Sequence, residues 1–75
     1  MANTIVEEVA RFVRDSRRER GLTQSDLAAL AGVGRRFVSE LENAKPTLRL
    51  AQVEAVLAVF GRTLAVADRR RGESR

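Results

Sequence analysis

The sequence predicts an all-α fold, a bundle of four to five short helices that is followed by one short β-strand. Apolar residues recur at helical spacing in successive blocks of the 75-residue chain, and glycines separate several of these blocks. One segment, residues 62–68, has the alternating pattern of a strand. We therefore expect a helical domain over residues 1–61, a strand over 62–68 and a disordered basic tail over 69–75.

The first helix is predicted over residues 4–20. Its side chains Ile5, Val9 and Phe12 recur at helical spacing and form an apolar stripe. Gly21 follows the charged end of this block and is expected to end the helix.

The second and third helices are short and closely connected. Thr23 can cap the second helix together with Asp26, three residues later. Gly32 provides the positive φ with which the chain leaves that helix in a tight turn. The third helix then follows Gly34 and is expected to run to about Asn43.

The fourth helix is predicted over residues 48–60, with Pro46 and Thr47 ending the preceding element and capping this one. Near its end it becomes apolar on nearly all sides, more than the core of a small monomer needs. A lone strand also needs a partner for its backbone groups, and the same strand of a second subunit is the simplest one. We therefore expect a homodimer whose interface contains Val56, Val59, Phe60, Leu64 and Val66.

Composition argues against an enzyme. The chain contains no cysteine, histidine or tyrosine and a single lysine, so the usual disulfides, zinc ligands and general base are missing. We predict no catalytic residue, no metal, no cofactor and no small-molecule substrate. The apolar runs are too short to cross a bilayer, and the first residues do not resemble a signal peptide, so a cytoplasmic protein without membrane contact is expected.

Charge points to a polyanionic partner. Lysine and arginine number 14 against 10 acidic residues, a formal net charge of +4. One side of the third helix carries a contiguous polar arc of Arg35, Arg36, Ser39, Glu40 and Asn43. Arginine pairs with guanine and asparagine with adenine in the major groove, and a helix start favours phosphate. The start of the third helix is therefore predicted to meet an anion.

The helical pair resembles the helix-turn-helix of lambda-type phage repressors and the Xre family. Counting from Gln24, that pattern places a small residue, a turn glycine and three buried apolar residues in register, here Ala28, Gly32, Val33, Val38 and Leu41. The phrases LTQSDLA and SELENAK are also similar to the family's. The resemblance covers roughly residues 12–61 and implies a lambda-repressor-like bundle that binds duplex DNA.

The resemblance also implies roles for individual residues. Base contacts are expected from Arg35, Arg36, Phe37 and Glu40. Contacts to the DNA backbone are expected from Gln24, Thr23, Ser39, Asn43 and Lys45. Arg17 and Glu42 match a buried ion pair that joins the first helix to the third in phage repressors.

Several of these residues have a second interpretation. Phe37 either packs at the rim of the core or contacts a thymine methyl group. Glu40 either reads a base or orients Arg36, four residues earlier. Ser39 can be a plain surface residue. Ala44 stands where the family commonly has glycine, which predicts a less tight end to the third helix.

A narrower resemblance concerns the region from Arg35 to the strand, which looks like the HipB-type antitoxins. These are homodimeric repressors that restrain a HipA-type serine/threonine kinase toxin. The resemblance implies a sequence-specific repressor that binds a palindromic operator as a homodimer and neutralises such a kinase. The alternatives are a stand-alone Xre-type regulator and a protein-interaction module with a minor DNA role.

Overall fold

The fold is all-helical, as predicted. A computed structural model describes residues 4–69, and these contain four helices and no strand. The helices are α1 (Thr4–Glu19), α2 (Gln24–Ala31), α3 (Arg35–Glu42) and α4 (Leu50–Val59). Most of the basic tail expected over residues 69–75 lies outside the described residues.

The turn chemistry around α2 agrees with the prediction. The Thr23 hydroxyl accepts a hydrogen bond from the Asp26 backbone N–H at 2.9 Å, and the Asp26 carboxylate accepts one from the Thr23 N–H at 2.9 Å. Gly32 has a φ of 73°, and the next N–H, that of Val33, donates to the Ala28 carbonyl at 3.0 Å. These caps fix both ends of α2 and so set the angle at which α3 follows it.

One apolar core joins the four helices. Its fully buried side chains are Leu27, Leu41, Val13, Val38 and Val56. At the edge of this core, the rings of Phe12 and Phe60 meet edge to face, with their centroids 6.0 Å apart. The guanidinium groups of Arg20 and Arg62 lie over Phe60 and Phe12 respectively, at 5.0 and 5.4 Å from the ring centroids. The core holds α2 and α3 in a fixed relation.

The start of α4 differs from the prediction. The helix begins at Leu50, and Arg49 in extended conformation is its N-terminal cap, without a side-chain hydrogen bond. Thr47 is therefore not the cap. Leu48 packs against the core from a non-helical position. The chain becomes helical only after this contact, two residues later than expected.

The expected dimer interface also needs a correction, because two of its members are core residues of the monomer. Val56 has no exposed surface and Phe60 is 5 % exposed. Most of the apolar character of α4 is used within one chain: Val53, Val56 and Leu57 are buried, whereas Leu50, Ala51 and Ala58 are exposed. Val59 and Leu64 are partly buried against the same core, and Val66 is fully exposed.

After α4 the chain turns back onto that helix. The Glu54 carboxylate accepts hydrogen bonds from the Leu64 backbone N–H, at 2.9 Å, and from the Thr63 hydroxyl. These bonds hold the pKa of Glu54 below its ordinary value, the backbone bond first. Residues 62–69 have no regular secondary structure in the single chain.

Candidate nucleic-acid interface

The start of α3 presents two arginines to solvent. Gly34 is the N-terminal cap and has no side chain with which to occupy the first backbone N–H groups of the helix. Arg35 and Arg36 follow at once and are exposed, the side chain of Arg36 by 91 %. Two positive charges thus stand at the positive end of a helix dipole, an arrangement that is stabilised by a bound anion.

Glu40 joins two of the predicted contact residues. Its Oε2 lies 3.2 Å from Nε of Arg36 and 3.3 Å from Nζ of Lys45. The orienting role considered for Glu40 is therefore present in the free protein, and it extends to Lys45. Exposed ion pairs of this kind are weak, so both cations can exchange the carboxylate for another anion at little cost.

The middle of α3 faces the core more than solvent. Phe37 is partly buried and packs against the core cluster, in agreement with the first of its two interpretations. Ser39 is partly buried, and its carbonyl oxygen accepts a hydrogen bond from the Asn43 side-chain amide at 3.0 Å. Asn43 thus helps to cap the end of α3 while it remains exposed.

The end of α3 is tight although Ala44 replaces the usual glycine. Ala44 has a φ of 59°, in the left-handed region, and its N–H donates to the Leu41 carbonyl at 3.0 Å. The Lys45 N–H donates to the Glu40 carbonyl at 3.1 Å, which completes a Schellman motif. The prediction of a looser helix end is wrong, because alanine accepts the strained conformation and the hydrogen bonds are kept.

A buried carboxylate ties α1, α2 and α3 together. Glu42 accepts two hydrogen bonds from Arg17, at 2.6 and 3.1 Å, and a third from the Gln24 amide at 3.2 Å. Arg17 also donates to the Leu22 carbonyl at 2.8 Å, which fastens the loop that precedes α2. The ion pair implied by the family resemblance is present, and Gln24 is oriented by it at the start of α2.

Burial and hydrogen bonding act on Glu42 in opposite directions. Burial raises the pKa of its carboxyl, but the hydrogen bonds from Arg17 and Gln24, with the charges of Arg17 and Arg18, outweigh it. The net effect holds the pKa of Glu42 below its ordinary value, so the group is ionised at neutral pH.

Sequence reasoning missed Arg14. Its Nη1 donates to the Glu42 backbone carbonyl at 3.1 Å, so a second arginine of α1 is bonded to this end of α3. A contact to a backbone carbonyl leaves no pattern of side-chain types in the sequence. The signal available was the spacing, since Arg14 precedes Arg17 by one helical turn.

Comparison with known proteins identifies this pair of helices. The profile of the helix-turn-helix family matches residues 13–66, most of the chain. The chain belongs to this family. It is also 43 % identical over 54 residues to an uncharacterized HTH-type transcriptional regulator, y4mF, of Sinorhizobium fredii; the match covers 72 % of this chain and 71 % of the relative.

The helix-turn-helix consists of α2 and α3, with Gly32 in the turn. The chain is thus an Xre-type helix-turn-helix transcriptional regulator, a class that acts by binding DNA. Within residues 4–69, no helix is both long and apolar enough to cross a membrane.

Proposed function

We propose that this regulator reads duplex DNA with α3 in the major groove and represses transcription by occupying its operator. The observation that carries the proposal is the pair of exposed arginines at the start of α3, where the cap Gly34 has no side chain; the core and the bonds of Glu42 to Arg17 and Gln24 hold this helix in place. A reading helix must be fixed in position, because misplaced side chains cannot match base edges.

The proposed contact residues divide into those that read bases and those that bind the DNA backbone. Arg35 has no ion pair among the described residues and is the proposed reader of guanine. Arg36 reads or approaches the neighbouring base, with Glu40 orienting it. Contacts to the DNA backbone are proposed for Gln24 and for the remaining candidates: Thr23, Asn43 and Lys45, which flank the helices, and Ser39 within α3.

We further propose that the regulator acts as a homodimer on a palindromic operator. Residues 62–68 would pair across the two-fold axis, with Val59, Leu64 and Val66 in the interface. Support comes from Val66, which is fully exposed in the single chain, and from the unpaired backbone around it. Two α3 helices related by this axis would read half-sites about 10 bp apart.

The test of DNA recognition is selection of binding sequences from a random duplex library, followed by affinity measurements on the selected site and on a scrambled duplex. Arg35→Ala is expected to cost about 1 to 3 kcal/mol on the selected site and to relax preference at one base pair. Lys45→Ala is expected to weaken both duplexes alike, because a phosphate contact carries no sequence information.

Arg20→Ala is the matched control, since Arg20 is an exposed arginine that directly follows α1, lies over the Phe60 ring and belongs to none of the proposed contacts. It should change neither the selected sequence nor its affinity markedly. Equal losses on both duplexes for Arg35→Ala and Lys45→Ala would contradict the division into reader and backbone contact. A weak dependence of affinity on salt would favour a protein-interaction module instead.

The HipB-like sequence from Arg35 to the C-terminal segment supports a narrower proposal, that the protein is the cytoplasmic antitoxin of a HipA-type serine/threonine kinase. Mixing the purified regulator with such a kinase should give a stable complex in size-exclusion chromatography and loss of kinase activity. Absence of a complex with the kinase encoded beside it, or absence of such a neighbour, would leave a stand-alone regulator.

A further inference from the structure

Three arginines of α1 take no part in the contacts proposed above, yet they share one face of that helix. Arg11, Arg14 and Arg18 are spaced by three and four residues, which places them within about 60° of one another around the helix axis. The ion pairs of residues 4–69 are Arg17–Glu42, Arg36–Glu40 and Lys45–Glu40, so none of the three has an acidic partner there.

This face of α1 borders the end of α3. Arg11 and Arg14 line an open polar cleft of about 450 Å³ together with Asn43 and Ala44, and Arg14 is anchored in it by its bond to the Glu42 carbonyl. Arg18, one turn further along α1, is close enough for its charge to act on the Glu42 carboxylate.

The positive charge of the face is not neutralised by Glu42. That carboxylate already accepts two hydrogen bonds from Arg17 and one from Gln24. Arg14 reaches only the backbone carbonyl, so it keeps a full charge and most of its guanidinium donors for another partner. Glu7 lies at the N-terminal side of the same cleft and bounds the basic surface there.

The face is also continuous with two proposed backbone contacts. Asn43 shares the cleft, and the Gln24 amide donates at 3.2 Å to Oε1 of Glu42, the residue whose backbone carbonyl accepts from Arg14. From Arg11 to Arg18 the helix rises about 10 Å, which corresponds to roughly three nucleotides of one DNA strand at 3.4 Å each. Charge, continuity and length all fit a duplex backbone.

We propose that Arg11, Arg14 and Arg18 form an additional phosphate-binding surface on α1, which extends the DNA contact beyond the helix-turn-helix. This inference rests on the proposed DNA binding. The surface carries no base readers, so it adds affinity for any duplex and contributes nothing to the choice of sequence.

The experiment measures affinity for a short mixed-sequence duplex by fluorescence anisotropy over a series of salt concentrations. Arg14→Gln removes the charge and keeps a donor for the Glu42 carbonyl, and the triple change of Arg11, Arg14 and Arg18 to glutamine removes the whole surface. We expect the slope of log K against log salt to become shallower by about 0.9 for each phosphate that the protein no longer neutralises, with several-fold weaker binding.

Arg20→Gln is the control because Arg20, whose N–H still bonds to the Ser16 carbonyl at the end of α1, lies over the Phe60 ring and points about 180° away from Arg11 and about 120° from Arg14 around the helix axis. It removes the same charge from the other side of the helix and should leave the slope unchanged. Thermal unfolding by circular dichroism checks that each variant is folded; if the triple variant is not, the folded Arg14→Gln carries the test.

The outcomes separate the two proposals. Unchanged slopes for folded Arg14→Gln and for the triple variant, alongside a shallower slope for Lys45→Ala, would overturn the α1 surface and leave the helix-turn-helix contact intact. Equal flattening of the slope in Arg20→Gln would also overturn it, since net charge and not position would then be responsible. Absence of salt-dependent duplex binding by the unmodified protein would overturn both proposals.

Discussion

Ala44 is the residue at which the backbone is strained. A left-handed conformation places the alanine Cβ close to the carbonyl oxygen and costs about 1 to 2 kcal/mol, whereas glycine adopts it freely. The Schellman motif is nevertheless complete, so the strain is stored in a well-formed turn.

We predict that Ala44→Gly stabilises the protein by about 0.5 to 1 kcal/mol, because the relief of strain exceeds the extra backbone entropy of the unfolded chain. For a domain of this size the melting temperature should rise by a few degrees, measured by circular dichroism. Ala29→Gly, at an exposed position within α2, is the matched control and should lower stability by about 0.5 to 1 kcal/mol. A lower melting temperature for Ala44→Gly would contradict the assignment of strain.

Individual residues were predictable where they follow a local rule. Thr23, Asp26 and Gly32 do so, since caps and turns depend on a few neighbouring residues. Arg14 was missed, because its partner is a carbonyl 28 positions away in sequence and only its spacing from Arg17 pointed to a shared role. The role of Phe37 could not be decided from the sequence, because its position on the helix does not distinguish the rim of a core from an exposed surface.

At the scale of elements, the Arg17–Glu42 ion pair ties α1 to α3, beside the bond from Arg14 to the Glu42 carbonyl. The side chains are only 12 % and 5 % exposed, so removal of one partner leaves a charge that is poorly solvated. We expect Arg17→Met to destabilise the domain by about 3 kcal/mol and the double variant Arg17→Met, Glu42→Gln to recover part of that loss. Urea unfolding gives the free energy of unfolding of the two single variants, Arg17→Met and Glu42→Gln, and of the double variant. A loss in the double variant equal to the sum of the two single losses would contradict a coupled pair.

The same tie predicts a loss of stability in acid. The pKa of Glu42 is lower in the folded chain than its ordinary value of 4.5, so its contribution is complete above about pH 4.5 and is lost as the pH falls through the folded-state pKa. Urea unfolding over this range should show a smaller acid loss for Glu42→Gln than for the unmodified protein. Glu19→Gln, which changes an exposed carboxyl at the end of α1, should keep the full loss.

Helix type and order were predictable, whereas helix ends were less so. The 3.6-residue periodicity identified all four helices, because each buries one face. The start of α4 was placed too early because Thr47 is a good cap by type, but the packing of Leu48 decides where the chain can become helical. Tertiary contacts override such local preferences.

At the scale of the whole molecule, three exposed apolar side chains mark the surface available to a second subunit. Ile5, Leu50 and Val66 are exposed by 56, 71 and 103 %. Ile5 and Leu50 also line an apolar groove together with Leu64. A small monomer gains little from such exposure, so this side of the molecule is where association would stabilise it.

We predict that sedimentation equilibrium will give a dimer and that Val66→Glu will give a monomer with a lower melting temperature, since a charge in the interface would lose its solvation. Leu30→Glu is the control, because Leu30 is an exposed apolar residue of α2 outside the proposed interface. A monomeric unmodified protein, or a dimer unaffected by Val66→Glu, would contradict the assembly.

The sequence did not separate interface residues from core residues at the end of α4, for a physical reason. Apolar periodicity shows that one side of a helix is buried, but it does not show whether the same chain or a second chain covers it. Here Val56 of α4 and its C-terminal cap Phe60 are buried within the single chain. Residues 62–68 have the alternating pattern of a strand, but residues 4–69 contain no other strand with which they could pair, and this segment has no regular secondary structure there.

The strained turn after α3 has a consequence for the evolution of this protein under selection. Alanine and glycine codons differ by one base, so the relaxed form of residue 44 is a single point mutation away. Laboratory selection of this regulator for heat tolerance should therefore recover that change early and repeatedly. The same lineage would then tolerate otherwise harmful mutations elsewhere in the gene, since a more stable starting protein leaves more room for them.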